Sequence, residues 1–489
     1  MLLGLDIGSS CIKVALVDDQ TGKTVATAQA PVQEMAIESP RAGWAEQDPE
    51  SWWKYVLEAL DQLRVKHSVA LASVKAIGIS YQMHGLVAVN KNGMPVRPSI
   101  IWCDSRAVET GKNAEHALGH DWCLKHLLNA PGNFTASKLG WVKEHEPQIY
   151  SQIQKIMLPG DYIAWKLTGE FSTTDTGLSE GMFWDFKEGK ASEKLMDHFG
   201  FDPTLLAPLK PVFSIQGNIT AQVASQTGIP AGTPVSYRAG DQPNNAFSLN
   251  VLHPGEVAAT AGTSGVIYAV TEQNTYDPQS RVNTFLHVNH TSDLQRNGIL
   301  LCINGTGILN SWLRRTMGGL SYEQMNQLAG SVSIGSEGLL FYPFGNGAER
   351  VLGNKNPGAK LQQLDLNRHG QAHLLRAAQE GIVFAMAYGF DVLRQIGVKP
   401  EVVRAGRSNM FLSPIFREAF VNSLQVPLEL YETNGAVGAA IGAGVGAGIY
   451  ESFPDAFRGL QMLEIQEPDT RIIPEYRDAL QNWMTHLTF

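Results

Sequence analysis

Two short glycine-containing turns, half a chain apart, have residue types that can bind phosphate. The first is Gly8-Ser9-Ser10, between the apolar runs Leu2–Ile7 and Ile12–Val17. The second, Gly262-Thr263-Ser264, stands between similar runs 254 positions later (262 − 8). Glycine permits the positive φ of a tight turn and leaves backbone N–H groups exposed, so each tip of a β-hairpin offers donors to phosphate oxygens. The repeat predicts two copies of one domain that present loops to the same polyphosphate; a chance likeness between two hairpins is the alternative.

Polar residues follow two predicted strands of the first half. Gln82-Met83-His84-Gly85 comes after an apolar run at residues 74–80, and Trp102-Cys103-Asp104 ends a second apolar run. Functional groups of α/β sheets collect at strand ends, so both segments are candidates for binding a polar small molecule. The plainer alternatives are a structural histidine and an ion pair of Asp104 with Arg106 at the surface.

Asp241 is the candidate for proton transfer. It follows Gly240 at the end of a predicted strand, close to the middle of the chain. A carboxylate within hydrogen-bond reach of a hydroxyl can orient it and accept its proton. A Gly-Asp pair is also a routine turn, which is the structural alternative.

The elements around these residues alternate between strands and helices. In the first half, Asp48 is predicted to cap a helix that begins at Pro49, and further helices are predicted at residues 135–143 and 161–167. Residues 212–230 have the pattern of several short strands. In the second half we predict a helix from 371 to about 393, a strand at 402–405, and a closely packed helix at 435–444 that is rich in glycine and alanine.

Composition excludes several classes of protein. The chain has 489 residues, enough for at least two domains, and a formal charge of −9 without long Lys/Arg runs, which argues against nucleic acid or an anionic membrane as the main partner. The four cysteines form no CxxC or Cys/His cluster, which is typical of a reducing compartment. The chain opens on a predicted strand and has no long apolar run, so we expect a cytoplasmic protein without a signal peptide.

Taken together, the motifs resemble those of the FGGY family of carbohydrate kinases. The matching segments run in family order along nearly the whole chain: Asp6-Ile7-Gly8-Ser9-Ser10 with Lys13, Gln82-Met83-His84-Gly85, Trp102-Cys103-Asp104, Gly240-Asp241, Gly262-Thr263-Ser264-Gly265 and Ala348-Glu349-Arg350. The xylulokinase branch is most similar, through Trp44-Ala45-Glu46-Gln47-Asp48-Pro49 and the segment from Phe134 to Trp141.

The resemblance implies an α/β fold of two ribonuclease-H-like domains of the actin/hexokinase ATPase type, facing across a central cleft. A sugar-binding domain would span residues 1–243 and an ATP-binding domain residues 244–489. The expected reaction is ATP-dependent phosphorylation of D-xylulose to D-xylulose 5-phosphate with Mg²⁺, and the family is compatible with a homodimer.

The resemblance also implies roles for individual residues. Asp241 would be the general base and Asp6 a second catalytic carboxylate, and both would bind the Mg²⁺. The sugar would contact Gln82, Met83, His84, Trp102, Asp104 and Asp241. ATP would contact Gly8, Ser9, Ser10, Lys13, Gly262, Thr263, Ser264, Gly305, Gly406, Arg407 and Asn409.

The sequence departs from the family pattern at two of these places. Gln242-Pro243 follows Asp241 where asparagine and small residues are usual, and the adenosine turn is Ala405-Gly406-Arg407-Ser408-Asn409 rather than a run of glycines. Two other functions therefore stay open at this point. One is a kinase for another polyol, ketopentose or sugar acid, such as ribulose, glycerol or gluconate; the other is a sugar-binding regulator that has lost catalysis.

Overall fold

The computed structural model describes residues 1–488, which form two compact units. The first unit contains Met1–Asn250 and two later segments, Phe285–Arg296 and Thr433–Leu460. The second contains Val251–Thr284, Asn297–Glu432 and the chain from Gln461 onward. The units thus differ from the two continuous halves, 1–243 and 244–489, because Thr433–Leu460 packs into the first unit. The assignment of sugar and ATP binding to the two halves stays a prediction.

The first unit is built on a six-stranded sheet. Its strands are β1 (Leu2–Ile7), β2 (Ile12–Val17), β3 (Thr24–Ala30), β4 (Ala76–Tyr81), β5 (Phe213–Asn218) and β6 (Pro234–Gly240). They lie in the order β5-β6-β4-β1-β2-β3. β1, β4 and β6 are mutually parallel, whereas β2, β3 and β5 join the sheet antiparallel.

The second unit is built on a seven-stranded sheet with the same plan. Its strands are β7 (Glu256–Ala261), β8 (Gly265–Thr271), β9 (Asn283–Leu286), β10 (Asn297–Ile303), β11 (Val402–Gly406), β12 (Leu428–Tyr431) and β13 (Met462–Gln466), in the order β9-β10-β8-β7-β11-β12-β13. The last two residues of β9, Phe285 and Leu286, belong to the first unit. The two sheets share one arrangement. In each, antiparallel strands at one side are followed by three parallel strands, here β7, β11 and β12, and then by one antiparallel strand, here β13. The repeat of the two glycine hairpins is therefore a repeat of whole sheets.

Helices connect the strands. The α-helices are α1 (Pro49–Leu71), α2 (Val108–Leu118), α3 (His120–His126), α4 (Thr135–His145), α5 (Pro147–Tyr150), α6 (Pro159–Thr168), α7 (Asp175–Glu180), α8 (Glu193–Phe199), α9 (Ala221–Thr227), α10 (Asp241–Ser248), α11 (Gly307–Thr316), α12 (Tyr322–Gly330), α13 (Gln371–Gln395), α14 (Pro414–Leu424), α15 (Gly435–Gly446), α16 (Phe453–Ala456) and α17 (Ile473–Thr485). Four short strand pairs lie outside the main sheets: Glu46–Gln47 with Ser99–Ile100, Val87–Val89 with Lys155–Met157, Trp184–Asp185 with Lys190–Ala191, and Leu340–Tyr342 with Lys360–Gln362. Within residues 1–488, no helix combines the length and the apolar composition that crossing a bilayer requires.

Local sequence explains several helix boundaries. The side chain of Asp48 accepts a hydrogen bond from the Glu50 N–H, and Pro49 is the first residue of α1, as predicted. α6 ends at Thr168 and is capped by Gly169, which has the left-handed conformation that glycine adopts without strain. The structure corrects the pattern of residues 212–230: only β5 is a strand there, and α9 follows it, capped by the Thr220 side chain.

The glycine-rich helix α15 lies directly on the first sheet. A Cβ atom at Gly4 of β1 would be 1.7 Å from the Ala436 carbonyl oxygen, and one at Gly78 of β4 would be 1.9 Å from that of Ala439. Only glycine at both strand positions allows so close an approach. These contacts place a helix from late in the chain in the core of the first unit.

Candidate active site

Three parallel strands of the first sheet end side by side. Ile7 of β1 and Gly240 of β6 are both paired with Tyr81, the last residue of β4. Because the strands are parallel, the residues that follow them share one edge of the sheet. Asp6 lies one residue before the end of β1, and Asp241 follows β6 as the first residue of α10, not as a turn residue. The structure therefore brings Asp6, Asp241 and the segment after β4 to one place.

Both carboxyl groups at this edge have a raised pKa. Burial raises the pKa of Asp241 to about 7, and the negative charge of Asp6 contributes to the increase. Burial also raises the pKa of Asp6, against the opposing effects of Lys13 and of a hydrogen bond with Ser80. A carboxyl group that titrates near neutrality is suited to accept a proton at physiological pH.

The same pair of carboxylates fits Mg²⁺. Two carboxylates within electrostatic range supply the hard oxygen donors that Mg²⁺ prefers, and this cation commonly takes only one or two protein ligands beside substrate phosphates. Residues 1–488 contain no cluster of three or more His, Cys, Asp or Glu side chains arranged for a metal. Gly435, at the start of α15, lies so close that a Cβ there would be 2.7 Å from Asp6 Oδ2. The metal site remains a prediction that these donors support.

The segment after β4 forms a tight turn that presents His84. This residue is in the left-handed region (φ 61°), which is uncommon for a side chain other than glycine. Its Nδ1 lies 2.9 Å from the carbonyl oxygen of Glu180. A carbonyl oxygen only accepts, so Nδ1 carries the proton, and Nε2 of the neutral ring is an acceptor. The rings of Phe134 and Phe285 pack against the imidazole at centroid distances of 4.8 and 5.4 Å.

Two buried ionisable residues beneath this turn were not assigned a role from the sequence. Lys138 of α4 is 0% exposed, and its Nζ donates to the carbonyl oxygens of His84 at 2.8 Å and Ile101 at 3.0 Å. Glu180, the last residue of α7, accepts the His84 N–H through Oε2 at 3.3 Å. Lys138 lies within a family-like segment, whereas no sequence motif indicated Glu180.

The predicted sugar contacts Asp104 and Trp102 differ in their surroundings. Asp104 is buried and already accepts hydrogen bonds from the Ala45 N–H at 2.6 Å, the Arg106 N–H at 2.8 Å and the Arg106 guanidinium at 2.7 Å. The predicted pair with Arg106 therefore exists, but in the interior rather than at the surface. Trp102 is 49% exposed, and its Nε1 lies 3.3 Å from Ser9 Oγ in the first hairpin tip. Trp102 is accessible to a ligand, and Asp104 remains a predicted contact whose oxygens already have partners.

The second hairpin tip is joined to the start of α11. Gly307 donates its N–H to the Gly262 carbonyl at 2.8 Å, and Ile308 donates to the Thr263 carbonyl at 3.2 Å. A Cβ at Gly307 would lie 2.4 Å from the Gly262 oxygen, so glycine is required for this contact. These two hydrogen bonds hold the loop against the N-terminal turn of α11 and occupy the N–H groups of Gly307 and Ile308.

A cavity of about 430 Å³ opens beside this loop within the second unit. Its lining includes Gly262, Thr263 and Asn409 from the predicted ATP contacts, together with Tyr322 and Leu412. The other predicted contacts in this unit do not line it: Ser264, Gly305, Gly406 and Arg407. Gly8, Ser9, Ser10 and Lys13 belong to the first unit, at the hairpin beside Asp6.

Gly305 acts on this region indirectly, through Glu349. The Glu349 carboxylate is fully buried and accepts the Asn304 N–H at 3.0 Å and the Gly305 N–H at 3.1 Å, which fixes the turn that leads into α11. Burial raises the pKa of Glu349 to about 7 from an ordinary value of 4.5. Sequence comparison placed Glu349 in a family motif without giving it this role.

The raised pKa of Glu349 makes stability depend on pH. Between pH 4.5 and 7 the folded chain holds this proton and the unfolded chain does not, so the free energy of unfolding falls as pH rises. We expect the stability of the wild type relative to Glu349→Gln to fall by about 3 kcal/mol between pH 4.5 and pH 8. Urea unfolding of both proteins at several pH values measures this difference, and a difference that does not change with pH would contradict the prediction.

Comparisons with known proteins agree with this geometry. Residues 1–248 match the N-terminal domain of the FGGY family of carbohydrate kinases. The xylulose kinase of Escherichia coli is 32% identical over 404 residues, which cover 82% of this chain and 81% of that protein. The L-xylulose/3-keto-L-gulonate kinase of the same species is 29% identical over 472 residues, covering 94% and 91%. The crystal structure of xylulose kinase from Rhodospirillum rubrum superimposes with a TM-score of 0.88 at 26% identity, over 99% of this chain and 97% of that one.

The chain belongs to the FGGY family of carbohydrate kinases. The resemblance inferred from the motifs is confirmed, and so are the α/β fold of the actin/hexokinase ATPase type and the activity class of carbohydrate kinase. This activity class argues against the alternative of a sugar-binding regulator that has lost catalysis. Membership of an ATP-dependent family implies ATP as the phosphoryl donor.

Proposed function

We propose that this carbohydrate kinase transfers the γ-phosphoryl group of ATP to D-xylulose and forms D-xylulose 5-phosphate. The observation that carries the proposal is the arrangement of Asp241, Asp6 and the His84 turn at one edge of the first sheet. The identity of the sugar rests on the relatives, several of which are xylulose kinases.

Asp241 acts as the general base. Its carboxylate accepts the proton of the sugar's primary hydroxyl while the hydroxyl oxygen forms a bond to the γ-phosphorus. The bond between that phosphorus and the β,γ-bridging oxygen breaks, and ADP leaves with the bridging oxygen. The pKa of Asp241, raised to about 7, suits a group that must be a free base before the transfer and hold a proton after it.

Asp6 and Asp241 would hold Mg²⁺, which neutralises charge on the phosphates when bound. Asp6 contributes a carboxylate that is fixed from two sides. β1 sets its backbone position, and α15 begins against its side chain at Gly435. The negative charge of Asp6 also helps to keep Asp241 basic enough to accept the proton.

Side chains of the turn after β4 would orient the sugar. With the ring proton on Nδ1, the Nε2 atom of His84 can accept a hydrogen bond from a sugar hydroxyl. Gln82 is buried, and within residues 1–488 its Oε1 has no hydrogen-bond partner. A buried acceptor of this kind gains most from a ligand hydroxyl. Met83 and the exposed face of Trp102 supply apolar contacts to the carbons.

The nucleotide would use the cavity of the second unit. Its volume of about 430 Å³ lies in the range of small-molecule sites. Asn409, Tyr322 and Leu412 also line this cavity, and the nucleoside would contact them. The backbone N–H groups at Gly262 and Thr263 would then face the phosphates.

A substrate panel with coupled detection of ADP tests the proposal. The sugars are D-xylulose, L-xylulose, D-ribulose, glycerol and gluconate, each at several concentrations with MgATP. We expect the highest kcat/KM with D-xylulose. A value at least tenfold higher with another sugar would overturn the substrate assignment, and the absence of ADP with every sugar would overturn the proposed reaction.

His84→Ala should raise the KM for the sugar and leave the KM for ATP nearly unchanged. The variant leaves a sugar hydroxyl without its acceptor, a loss of about 1–3 kcal/mol or roughly 10- to 100-fold in KM. His116→Ala, an exposed histidine on α2, is the control and should match the wild type. Equal increases in both KM values would instead indicate a structural histidine.

A further inference from the structure

Every backbone polar group of His84 is held from below the turn. Its N–H donates to the Glu180 carboxyl group at 3.3 Å, and its carbonyl oxygen accepts from Lys138 Nζ at 2.8 Å. Its ring Nδ1 donates to the Glu180 carbonyl at 2.9 Å. A left-handed histidine persists only where its surroundings determine it, and these three contacts are such surroundings.

Lys138 also joins two separate segments of the site. Its Nζ bonds to the His84 carbonyl in the turn after β4 and to the Ile101 carbonyl, directly before Trp102. Both segments are predicted to contact the sugar. The ammonium group is wholly buried, and burial lowers the pKa of Lys138 to about 7, although nearby Asp104 opposes the decrease. A buried ammonium group is costly unless it is hydrogen-bonded, and the Lys138 Nζ donates to these two carbonyl oxygens.

Glu180 connects the turn to the catalytic strand. A Cβ at Gly240, the residue before Asp241, would lie 3.3 Å from Glu180 Oε2, the same atom that accepts the His84 N–H. Burial raises the pKa of Glu180 well above its ordinary value, with a smaller contribution from the charge of Asp241. The Glu180 carboxyl group therefore lies near the backbone of both Gly240 and His84, beside the Met83 side chain, which is closer to Gly240.

We propose that Lys138 and Glu180 are positioning residues that fix the tautomer and direction of the His84 ring and tie the His84 turn to the Trp102 segment. The inference rests on the proposed function, because it takes these two segments as the sugar site. Lys138 sets the orientation of the His84 carbonyl, and Glu180 sets its N–H and ring. Neither side chain needs to touch the substrate.

Steady-state kinetics of Lys138→Met test the first part. Methionine fills similar space but leaves both carbonyl oxygens without the ammonium donor. We expect the KM for the sugar to rise at least tenfold while the KM for ATP stays within twofold. The matched control is Lys143→Met in the same helix, where Nζ also donates to two carbonyl oxygens, those of Phe199 and Gly200, away from the turn. An unchanged sugar KM, or equal changes for both substrates, would overturn the role of Lys138.

Glu180 offers a comparison that does not depend on Lys138. Glu180→Gln keeps a carbonyl acceptor for the His84 N–H, whereas Glu180→Ala removes it. We expect near-normal sugar KM in the glutamine variant and at least a tenfold increase in the alanine variant. Equal sugar KM values in the two variants would overturn the role of the Glu180 side chain.

Two measurements need no sugar and therefore separate this inference from the proposed function. The first is NMR of wild-type protein labelled with ¹⁵N-histidine, in which His84→Ala assigns the His84 resonances. The His84 ring should carry its proton on Nδ1, and a proton on Nε2 alone would overturn the proposed tautomer. Hydrogen exchange of the His84 amide should accelerate at least tenfold in Glu180→Ala relative to Glu180→Gln. Equal exchange rates would overturn the role of the Glu180 side chain in holding the His84 N–H. If the wild type phosphorylated no sugar while both results held, only the proposed function would fail.

Discussion

Asp241→Asn should lower kcat by ~10²–10⁴-fold, the range typical of a positioned acid or base, with small changes in the KM for ATP and sugar. Asparagine keeps the size of the side chain and one acceptor oxygen but cannot accept the proton. The change also removes the carboxyl group whose pKa is raised by burial and by the charge of Asp6. Initial rates over a range of both substrates measure the effect.

Metal binding is the competing role of Asp241, and Mg²⁺ dependence separates the two. If Asp241 is the base, additional Mg²⁺ does not restore turnover in Asp241→Asn. Asp6→Asn is the comparison, because Asp6 is proposed to act chiefly through the metal and through its charge. Recovery of Asp241→Asn at high Mg²⁺ would identify Asp241 as chiefly a ligand, and near-normal turnover at ordinary Mg²⁺ would remove it from the mechanism.

Gly4→Ala should destabilise the protein by about 3 kcal/mol or more, the upper range for an overpacked core. The new Cβ would stand 1.7 Å from the Ala436 carbonyl oxygen, so α15 or β1 has to move by more than an ångström. Since β1 carries Asp6 and α15 begins against it, activity should fall together with stability.

Thermal unfolding and residual activity measure both effects of Gly4→Ala. Gly330→Ala, at the end of α12, is the control: its Cβ would meet only the flexible tip of Ile415 at 3.4 Å. Alanine is the better helix former, so this variant should equal or slightly exceed the wild type in stability. Equal melting temperatures for the two variants would contradict the close packing of α15 on β1.

Much of the architecture was predictable because its signals are local. The two hairpins, each an apolar run, a glycine turn and another apolar run, predicted a duplicated domain, and the two sheets share one plan. Asp48 and Pro49 predicted the start of α1 for the same reason. Asp241 was recognised as a candidate from its glycine and its place after a strand, although the structure makes it the first residue of a helix.

The remaining features depend on contacts between distant parts of the chain. Lys138 and Glu180 are 42 positions apart in the sequence (180 − 138). The fold brings them together because both hydrogen-bond to the backbone of His84. Nothing in either local pattern distinguishes a buried lysine from one on a helix surface. Asp104 shows the reverse: its chemistry suggested a sugar contact, but Ala45 and Arg106 occupy its oxygens.

The position of α15 has a consequence for how the chain folds during synthesis. The helices α1 and α6, which pack on the first sheet, are made within the first 250 residues, whereas α15 is made after residue 434. Until then the glycines of β1 and β4 face no partner, and this apolar surface is open to water or to other chains. The first unit to leave the ribosome is thus completed only after most of the second has been made, so one face of its sheet stays uncovered during that part of synthesis.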